Sequence, residues 1–388
     1  MSGRRKAVVL GVTWVLVGAG LRLTMLAPEV CPPLTADQAV AAAEAAAEWI
    51  AVNQRSDGTF LYEWDRDSSA ASPSYNIVRH AGTTLALYQA ARYTTGDTDR
   101  YLAAADLALA WMLERAVATD DGASGWADGD ANVKLGAVAL LAISLLERRA
   151  ITGDTGHDGL LVELGRFMAG QQTADGAMLD SWDVATRAPD PDVRSRYATG
   201  EALWALALLH ETFPDERFDR VAWPILDYLS TRRDDEEGLW PRPWPDQWAA
   251  YSLEAMGDWG LSTEHVAYAK ALAAQFGVGV RWDSQRAGIA TITHPPEPRG
   301  AGFGTTIEGA SMLQRLAATD ARLADLADPL ADRTACGAAR LAAFQTPPGP
   351  GVPPTEAGAW FRQGITRMDD QQHAASALMW TALLAGAR

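Results

Sequence analysis

Hydrophobic positions recur along most of this chain every three or four residues, the spacing of one face of an α-helix. The pattern predicts about a dozen helices, and the capping pair of Thr35 and Gln38 opens the first of them. In chain order, the predicted helices cover or begin near 35–53, 77, 99, 132, 157–171, 199–212, 216–232, 246–256, 263–276, 305–318, 321–344 and 370–386. Strand-like runs are scarce, and the best of them is GIATITH at 288–294.

The even-numbered helices differ from the odd-numbered ones in their charges. After the first turn they are nearly free of charge and rich in Ala, Gly, Leu and Trp, which is typical of helices buried on all sides. The odd-numbered helices keep charges along one face, as at 215–233. Since the even helices begin roughly every 50–65 residues, each repeat is one helical hairpin. The pattern predicts an all-α (α/α)6 toroid of six inner and six outer helices, a single domain at 31–388 with short extended segments in its rim loops.

The first 30 residues have a composition of their own. Three basic residues precede an uncharged run at 7–21, which Arg22 interrupts. The run is shorter than the ~20 residues that span a bilayer, and it suits a signal peptide. Uncleaved, 7–26 would act as an anchor, and a buried N-terminal helix is the other alternative. We expect 1–30 to be a signal peptide or membrane anchor, and the remainder to be extracytoplasmic, either secreted or anchored by this segment.

The chain has a formal net charge of −16 and no stripe of Lys and Arg. This charge opposes binding to a phosphate backbone, so nucleic acid is excluded as a partner. No His, Asp or Glu pair has a recognisable metal-ligand spacing. We expect no metal, no cofactor, a monomer, and membrane contact only through the N-terminal segment.

Related phrases follow two outer helices, NQRSDGTFLYEWD at 53–65 and GQQTADGAMLDSWD at 170–183, with a weaker third at 232–244. Each has a polar helix end, an acidic-Gly turn and an aromatic-bearing extended segment. Here the chain resembles the α/α-toroid enzymes, namely six-hairpin glycoside hydrolases and uronate epimerases and, more distantly, terpenoid cyclases. The resemblance implies a glycan or another small or polymeric substrate. The Asp-rich D-x-D-D stretch of class II terpene cyclases is absent, and MDDQQH at 368–373 is the nearest run.

In such a ring the last outer helix lies beside the first. Cys336, on the eleventh helix, is then near Cys31, in the segment that leads into the first helix. We predict a disulfide between them that closes the toroid and persists in an oxidising compartment. Two unrelated thiols are the alternative.

Because the inner helices all run the same way, their N-termini meet at one mouth of the ring, and polar residues concentrate there. The candidate catalytic residues are Glu201, Glu308, His80, Tyr197, Asp370 and His373. The candidate substrate-binding residues are Tyr75, Arg79, Lys134, Asp246, Gln247 and Tyr251, with Trp64, Trp182 and Trp240 in the rim as stacking faces.

Structural roles compete with these assignments. Asp246 and Asp370 suit helix N-caps, and His80 and His373 are equally compatible with buried core positions. Glu201 and Glu308 lie in first turns, where a carboxylate gains from the helix dipole without any catalytic role. Arg79 needs an acidic partner, which is Glu201, Glu308 or a substrate carboxylate. The rim tryptophans could pack against the rim instead of a ligand.

Three functions fit a mouth of this kind. In glycoside hydrolysis, one acid protonates the leaving oxygen and a second carboxylate activates water; the pair is Glu201 with Glu308, or Asp246 with Asp370. In uronate elimination or epimerisation, tyrosine or histidine side chains act as base and acid, and Arg79 or Lys134 neutralises the developing charge. The third function is binding of a glycan or polypeptide without catalysis. We expect a carbohydrate-active protein that hydrolyses, eliminates or epimerises a cell-envelope or environmental glycan, with binding alone as the alternative and a terpenoid cyclase third.

Overall fold

The computed structural model describes residues 3–24, 29–119, 122–128, 132–286, 292 and 297–386. Within them lie fourteen α-helices and eight strands of two to five residues. The helices are α1 (Gly3–Thr24), α2 (Ala36–Val52), α3 (Ile77–Tyr93), α4 (Thr98–Leu113), α5 (Leu135–Thr152), α6 (Asp158–Gly170), α7 (Ala198–Thr212), α8 (Asp219–Thr231), α9 (Arg233–Glu236), α10 (Gln247–Ala255), α11 (Thr263–Ser284), α12 (Gly300–Thr319), α13 (Ala327–Phe344) and α14 (Met368–Leu384). The strands are β1 (Glu63–Asp65), β2 (Ala70–Ala71), β3 (Ala116–Ala118), β4 (Ser124–Asp128), β5 (Asn132–Lys134), β6 (Ser181–Asp183), β7 (Ala188–Pro189) and β8 (Ile365–Arg367).

Six helices, α3, α5, α7, α10, α12 and α14, form a closed inner ring. Each packs against the next, and α14 packs back against α3. Around them lie α2, α4, α6, α8, α11 and α13, whereas α9 is a short extra turn. The ring explains the charge pattern, because α5 has apolar neighbours on every side and is buried without interruption from Leu135 to Leu145. The predicted (α/α)6 toroid is confirmed.

Four inner helices begin within two residues of the predicted positions, and two do not. α5 begins three residues later than predicted, because Asn132–Lys134 pairs as strand β5 with β4 and β6. α12 begins five residues earlier, at Gly300. Gly300 and Gly304 lie so close to α14 that a Cβ at either position would press on its backbone. Because glycine is a poor helix former, the sequence does not predict the first turn of α12, although the close packing against α14 requires glycine there.

Two outer elements also differ from expectation. α11 continues to Ser284, well past the predicted end, and the predicted eleventh helix starts with a 3-10 turn at Ala321–Leu326 before α13. The strand-like run at 288–294 lies outside the described residues except for Ile292.

Two small antiparallel sheets lie at the end of the ring where the inner helices begin. Their strand orders are β2-β1-β8 and β3-β4-β5-β6-β7. β8 continues directly into α14 and β5 directly into α5, which fixes both sheets at this end. Trp64 lies opposite Thr366 in the first sheet, and Trp182 lies opposite Val133 in the second.

The phrases at 53–65 and 170–183 form the same turn. Gly58 and Gly176 have φ values of 90° and 89°, a region that glycine enters without strain. A Cβ on either would collide with a carbonyl of the next outer helix, in α4 or α8 respectively. Each phrase then accepts an inner helix's first amide, since Met368 donates to the Tyr62 carbonyl at 3.0 Å and Leu135 to the Asp180 carbonyl at 2.8 Å. The phrases therefore join outer helices and fix where α14 and α5 start.

A third copy of this turn lies in the proline-rich rim loop after α13. Gln345 donates to the carbonyl of Gly358 at 2.9 Å and to that of Ala42, in α2, at 2.8 Å. Gly358 has a φ of 88°, and a Cβ there would collide with the backbone of α2. By contrast, a Cβ on Gly238, in the weaker phrase at 232–244, would meet no atom within 4 Å. The loop, not that phrase, repeats the turn and joins the last outer helix to the first.

The N-terminal segment is fastened to the ring after α1. Cys31 and Cys336, the pair predicted from the sequence, are joined by a disulfide with their Cα atoms 5.2 Å apart. Glu29 adds ion pairs to Arg281 in α11 at 3.2 Å and to Arg333 in α13 at 3.0 Å. Within α1, Gly3–Leu23 is long and apolar enough to cross a membrane, judged by length and composition, and none of it is buried against the rest of the chain.

Candidate active site at the mouth of the inner ring

A cavity of about 390 Å³ lies where the inner helices begin, and we call it the mouth cavity. Every inner helix, or the residue just before it, contributes to its wall. The lining residues are Asn76, Val78, Arg79, Leu140, Tyr197, Glu201, Gln247, Trp248, Ala301, Gly302, Thr305, Arg367, Asp369, Gln372 and His373. A larger cavity of about 660 Å³ lies beside the disulfide, between α13 and the segment before α2, and receives nothing from the inner helices.

Glu201 lies in the first turn of α7 and is 5% exposed. Gly136 in α5 leaves the room that its carboxyl group occupies. No hydrogen bond or ion pair connects this carboxyl group to any of the residues that the structure describes. Burial, reinforced by the charges of Asp180 and Asp246, raises the pKa of Glu201 to about 8. The side chain is therefore protonated at neutral pH and can donate a proton into the cavity.

The opposite wall belongs to α14, because α7 and α14 are three places apart in a ring of six. There the Asp369 Oδ2 atom lies 3.1 Å from Nε of Arg79 and 3.0 Å from Nη2 of Arg367. Arg79 also donates to the Tyr62 hydroxyl. Of the expected acidic partners of Arg79, the two protein residues Glu201 and Glu308 are wrong, since α3 packs directly beside α14 and Asp369 is the carboxylate within reach. The third, a substrate carboxylate, stays a prediction.

A second pair of ionisable groups lies beside Asp369. His373 Nδ1 is 2.8 Å from Oε2 of Glu308, which comes from the neighbouring α12. Burial alone would lower the pKa of His373, but the Glu308 carboxylate raises it above its usual value. The Tyr251 hydroxyl donates to Glu308 Oε1 at 3.2 Å, and the indole of Trp380 donates to the Tyr251 oxygen at 2.7 Å. This chain of hydrogen bonds fixes the Glu308 carboxylate beneath His373.

The remaining lining residues supply neutral contacts. The side-chain amides of Gln247 and Gln372 line the cavity, and among the described residues neither has a hydrogen-bond partner. The Trp248 ring lies 5.8 Å from the His373 ring and stacks on Trp204 at 5.6 Å. Free amides above an aromatic and aliphatic floor can hydrogen-bond the hydroxyls of a ligand and contact its apolar face.

His80 does not reach the mouth cavity, and its predicted placement there is wrong. Its Nε2–H donates to the Ala108 carbonyl in α4 at 3.1 Å, so Nδ1 accepts from the Tyr75 hydroxyl at 2.6 Å. Tyr75 in turn accepts from the Phe60 amide at 3.0 Å. Burial lowers the pKa of His80 to about 4, which keeps it neutral. His80 and Tyr75 join α3 to α4 and to the first phrase.

Asp246 and Asp370 are also structural in this arrangement. Asp246 is fully buried, caps α10 through the Trp248 amide at 3.0 Å, and pairs with Arg233 at 2.5 Å. Asp370 accepts from the Arg367 amide at 3.0 Å and from Ala301, in α12, at 2.9 Å. It therefore joins the starts of two inner helices, and neither carboxylate lines the mouth cavity.

The other predicted contacts lie around the cavity. Tyr251 is buried and bonded to Glu308, and Lys134 is the last residue of strand β5. Trp64 and Trp182 pack in the rim sheets, and Trp240 is 81% exposed on a rim loop. None of these side chains lines the mouth cavity, whereas Glu201, Tyr197, His373, Arg79 and Gln247 do.

Sequence reasoning missed Arg367 and Asp180. Arg367 is the last residue of β8 and pairs with Asp369 two positions on. Asp180 lies in the second phrase, where burial raises its own pKa to about 6 and its charge helps to raise that of Glu201. Both lie on extended segments near the start of an inner helix. That position is the only feature of the sequence that could have indicated them as site residues. Among the described residues, no three His, Cys, Asp or Glu side chains form a group that could hold a metal ion.

The chain was compared with protein-family models, with curated proteins and with solved structures, and only the solved structures gave matches. No protein-family model and no curated protein matches the chain. It is similar to a D-mannose isomerase (TM-score 0.62, 13% identity, covering 90% of this chain and 97% of that one). It is also similar to the GH76A α-1,6-mannanase of Salegentibacter sp. HEL1_6 (0.60, 15%, 89% and 99%) and to an unsaturated glucuronyl hydrolase specific for heparin (0.58, 11%, 90% and 98%). At these identities the likeness establishes the α/α-toroid fold.

Proposed function

We propose that this protein is a carbohydrate-active enzyme that binds a glycan in the mouth cavity and uses Glu201 as its proton donor. One observation carries the proposal. A buried carboxyl group with a pKa near 8 and no partner among the described residues borders a polar cavity to which all six inner helices contribute. Raised carboxyl pKa values are how enzymes keep a general acid protonated at neutral pH.

Hydrolysis of a glycosidic bond is the reaction that this geometry supports best. Glu201 would give its proton to the glycosidic oxygen as the bond between that oxygen and the sugar carbon breaks. A water molecule would attack the sugar carbon from the other face and lose a proton to a carboxylate there. Asp369 is the carboxylate that lines the opposite wall.

Epimerisation or elimination is a second candidate, favoured by the pair of His373 and Glu308. An imidazole held by a carboxylate can remove a proton from a sugar carbon or return one. His373 lines the cavity across from Glu201, so the two could act as base and acid on opposite faces of one ring.

Two further observations support the proposal. The similarly folded proteins named above are described as an isomerase of mannose, a mannanase and a glucuronyl hydrolase, all of which act on sugars. Charged and amide side chains line the mouth cavity together with the aromatic rings of Tyr197 and Trp248, and this mixture favours a sugar over a terpenoid.

We also infer that the toroid works outside the cytoplasm. The apolar α1 and the Cys31–Cys336 disulfide support this, because disulfides persist in oxidising compartments. Mass spectrometry of the mature N-terminus would distinguish a cleaved signal peptide from a retained anchor.

Incubation with a panel of neutral and acidic oligosaccharides tests the enzymatic proposal. Mass spectrometry in deuterated water separates the reactions, because hydrolysis shortens the chain, elimination leaves an unsaturated end, and epimerisation adds deuterium at constant length. We expect one of these products from the wild type and from Glu114→Gln, a matched change at an exposed site at the end of α4. Glu201→Gln should lower turnover by about 10²-fold or more. Binding without any product from the wild type would favour the non-catalytic alternative.

A further inference from the structure

The charge of the residues that line the mouth cavity is opposite in sign to the net charge of the whole chain. The protein has a formal net charge of −16, yet two arginines, Arg79 and Arg367, line the cavity and share Asp369 as the ion-pair partner among its lining residues. Glu201 adds no negative charge at neutral pH, because burial raises its pKa to about 8. The cavity wall is therefore cationic within an acidic molecule.

We propose that the sugar bound in the mouth cavity carries an oxyanion, a carboxylate or a sulfate, that lies against Arg79 and Arg367. This inference rests on the proposed function and names the class of its substrate. Guanidinium groups bind both oxyanions through paired N–H donors, so the two chemistries share one recognition mode.

Both arginines keep donors available after they have bound Asp369. Arg79 uses Nε for Asp369 and Nη1 for Tyr62, and Arg367 uses Nη2 for Asp369. Within the described part of the chain, Nη2 of Arg79 and Nη1 of Arg367 have no hydrogen-bond partner. The two side chains remain 30% and 20% exposed. An anion in the cavity can therefore reach them without breaking an existing ion pair.

The surrounding field favours the same ligand. The N-termini of α3, α12 and α14 are adjacent in the ring, and each brings the positive end of a helix dipole toward the mouth. Behind the cavity wall, Arg299, just before α12, lies 3.4 Å from Asp370 and offsets the charge of that carboxylate, so Asp370 does not cancel the excess charge of Arg79 and Arg367. A purely structural clamp between α3 and α14 would need only one arginine on Asp369, and the second one leaves an excess of positive charge.

Matched pairs of sugars test this inference directly. Uronate oligosaccharides would be compared with the same oligosaccharides after chemical reduction of their carboxyl groups, and sulfated oligosaccharides with their desulfated forms, by calorimetric titration. We expect the acidic member of at least one pair to bind about tenfold more tightly than its neutral form, and the pair that responds identifies the oxyanion. Added salt should weaken only the acidic member, a measurement that needs no variant.

Two arginine variants locate the effect. Arg367→Gln and Arg79→Gln should each weaken binding of the acidic sugar by about tenfold more than they weaken binding of the neutral sugar. Arg166→Gln, on the exposed face of α6 where it pairs with Glu216, is the matched control and should change neither affinity. Equal binding of acidic and neutral sugars, or equal losses for both in the variants, would overturn the anionic subsite while the proposed function stands. Failure of every sugar to bind would overturn both.

Discussion

Replacing Glu201 with glutamine is expected to stabilise the folded protein in mild alkali by up to ~5 kcal/mol, although it removes the proposed proton donor. The folded protein holds the Glu201 proton until about pH 8, whereas an unfolded chain releases it near its ordinary pKa of 4.5. Between these two pH values the unfolded state binds fewer protons, so a rise in pH favours unfolding. The contribution of this carboxyl group to stability is thus complete below its unfolded pKa and is lost as the pH rises through about 8.

Urea unfolding of the wild type and the variant at about pH 5 and about pH 8.5 measures this effect. The wild type should lose more stability between the two conditions than Glu201→Gln does. Asp180 and Asp370, whose pKa values burial raises to about 6, change both proteins alike and cancel in the difference. Glu114→Gln should keep the wild-type pH dependence. Parallel behaviour of Glu201→Gln and the wild type would mean that the carboxyl group titrates normally and is a poor general acid.

Loss of the Arg233 guanidinium is expected to cost about 3–5 kcal/mol of unfolding free energy, because it leaves a buried carboxylate without its partner. Arg233 is completely buried and lies 2.5 Å from Asp246, which caps α10 through its other oxygen. Burial raises the pKa of Asp246, and the Arg233 charge offsets part of that rise. Arg233→Met keeps most of the side-chain volume and removes only the charge and its hydrogen bonds.

The neighbouring Arg232 provides a matched control for this substitution. Its side chain is 41% exposed and lies 3.9 Å from the Asp175 carboxylate, so Arg232→Met should cost about 1 kcal/mol or less. The double variant Arg233→Met with Asp246→Asn should recover part of the loss, since it removes the unpaired charge. Similar losses of unfolding free energy for Arg232→Met and Arg233→Met, measured in denaturant, would show that the buried ion pair stabilises the fold no more than the exposed one.

The fold was predictable because burial on all sides excludes charge, and the charge-free windows of α3, α5, α7, α10, α12 and α14 are visible in the sequence. The directions in which individual side chains point could not be predicted from the sequence. Arg79 and His80 are neighbours, yet one step along a helix turns the side chain by about 100°, so Arg79 reaches the mouth and His80 packs against α4. A helix start therefore identifies an end of the ring but not the side chains that face its axis.

The ion pairs at the mouth depended on ring closure. Arg79 contacts Asp369 because α14, the last helix of the chain, packs against α3, which lies near its beginning. Arg367 and Asp180 lie outside any helix, and their positions follow from strand and turn pairings that periodicity does not specify. Asp370 satisfies two helix starts at once, a role that its N-cap propensity indicates only for α14.

The pH dependence of turnover, on the glycan that the oligosaccharide panel identifies, tests the central claim most directly. If protonated Glu201 is the general acid, wild-type turnover falls as the pH rises through about 8, in step with the loss of its proton. Below about pH 8, turnover by Glu201→Gln should be lower than that of the wild type by about 10²-fold or more, and the variant should lack the alkaline decline, so that the difference narrows above that pH. A Glu201→Gln enzyme with the wild-type rate and the wild-type alkaline decline would contradict the account.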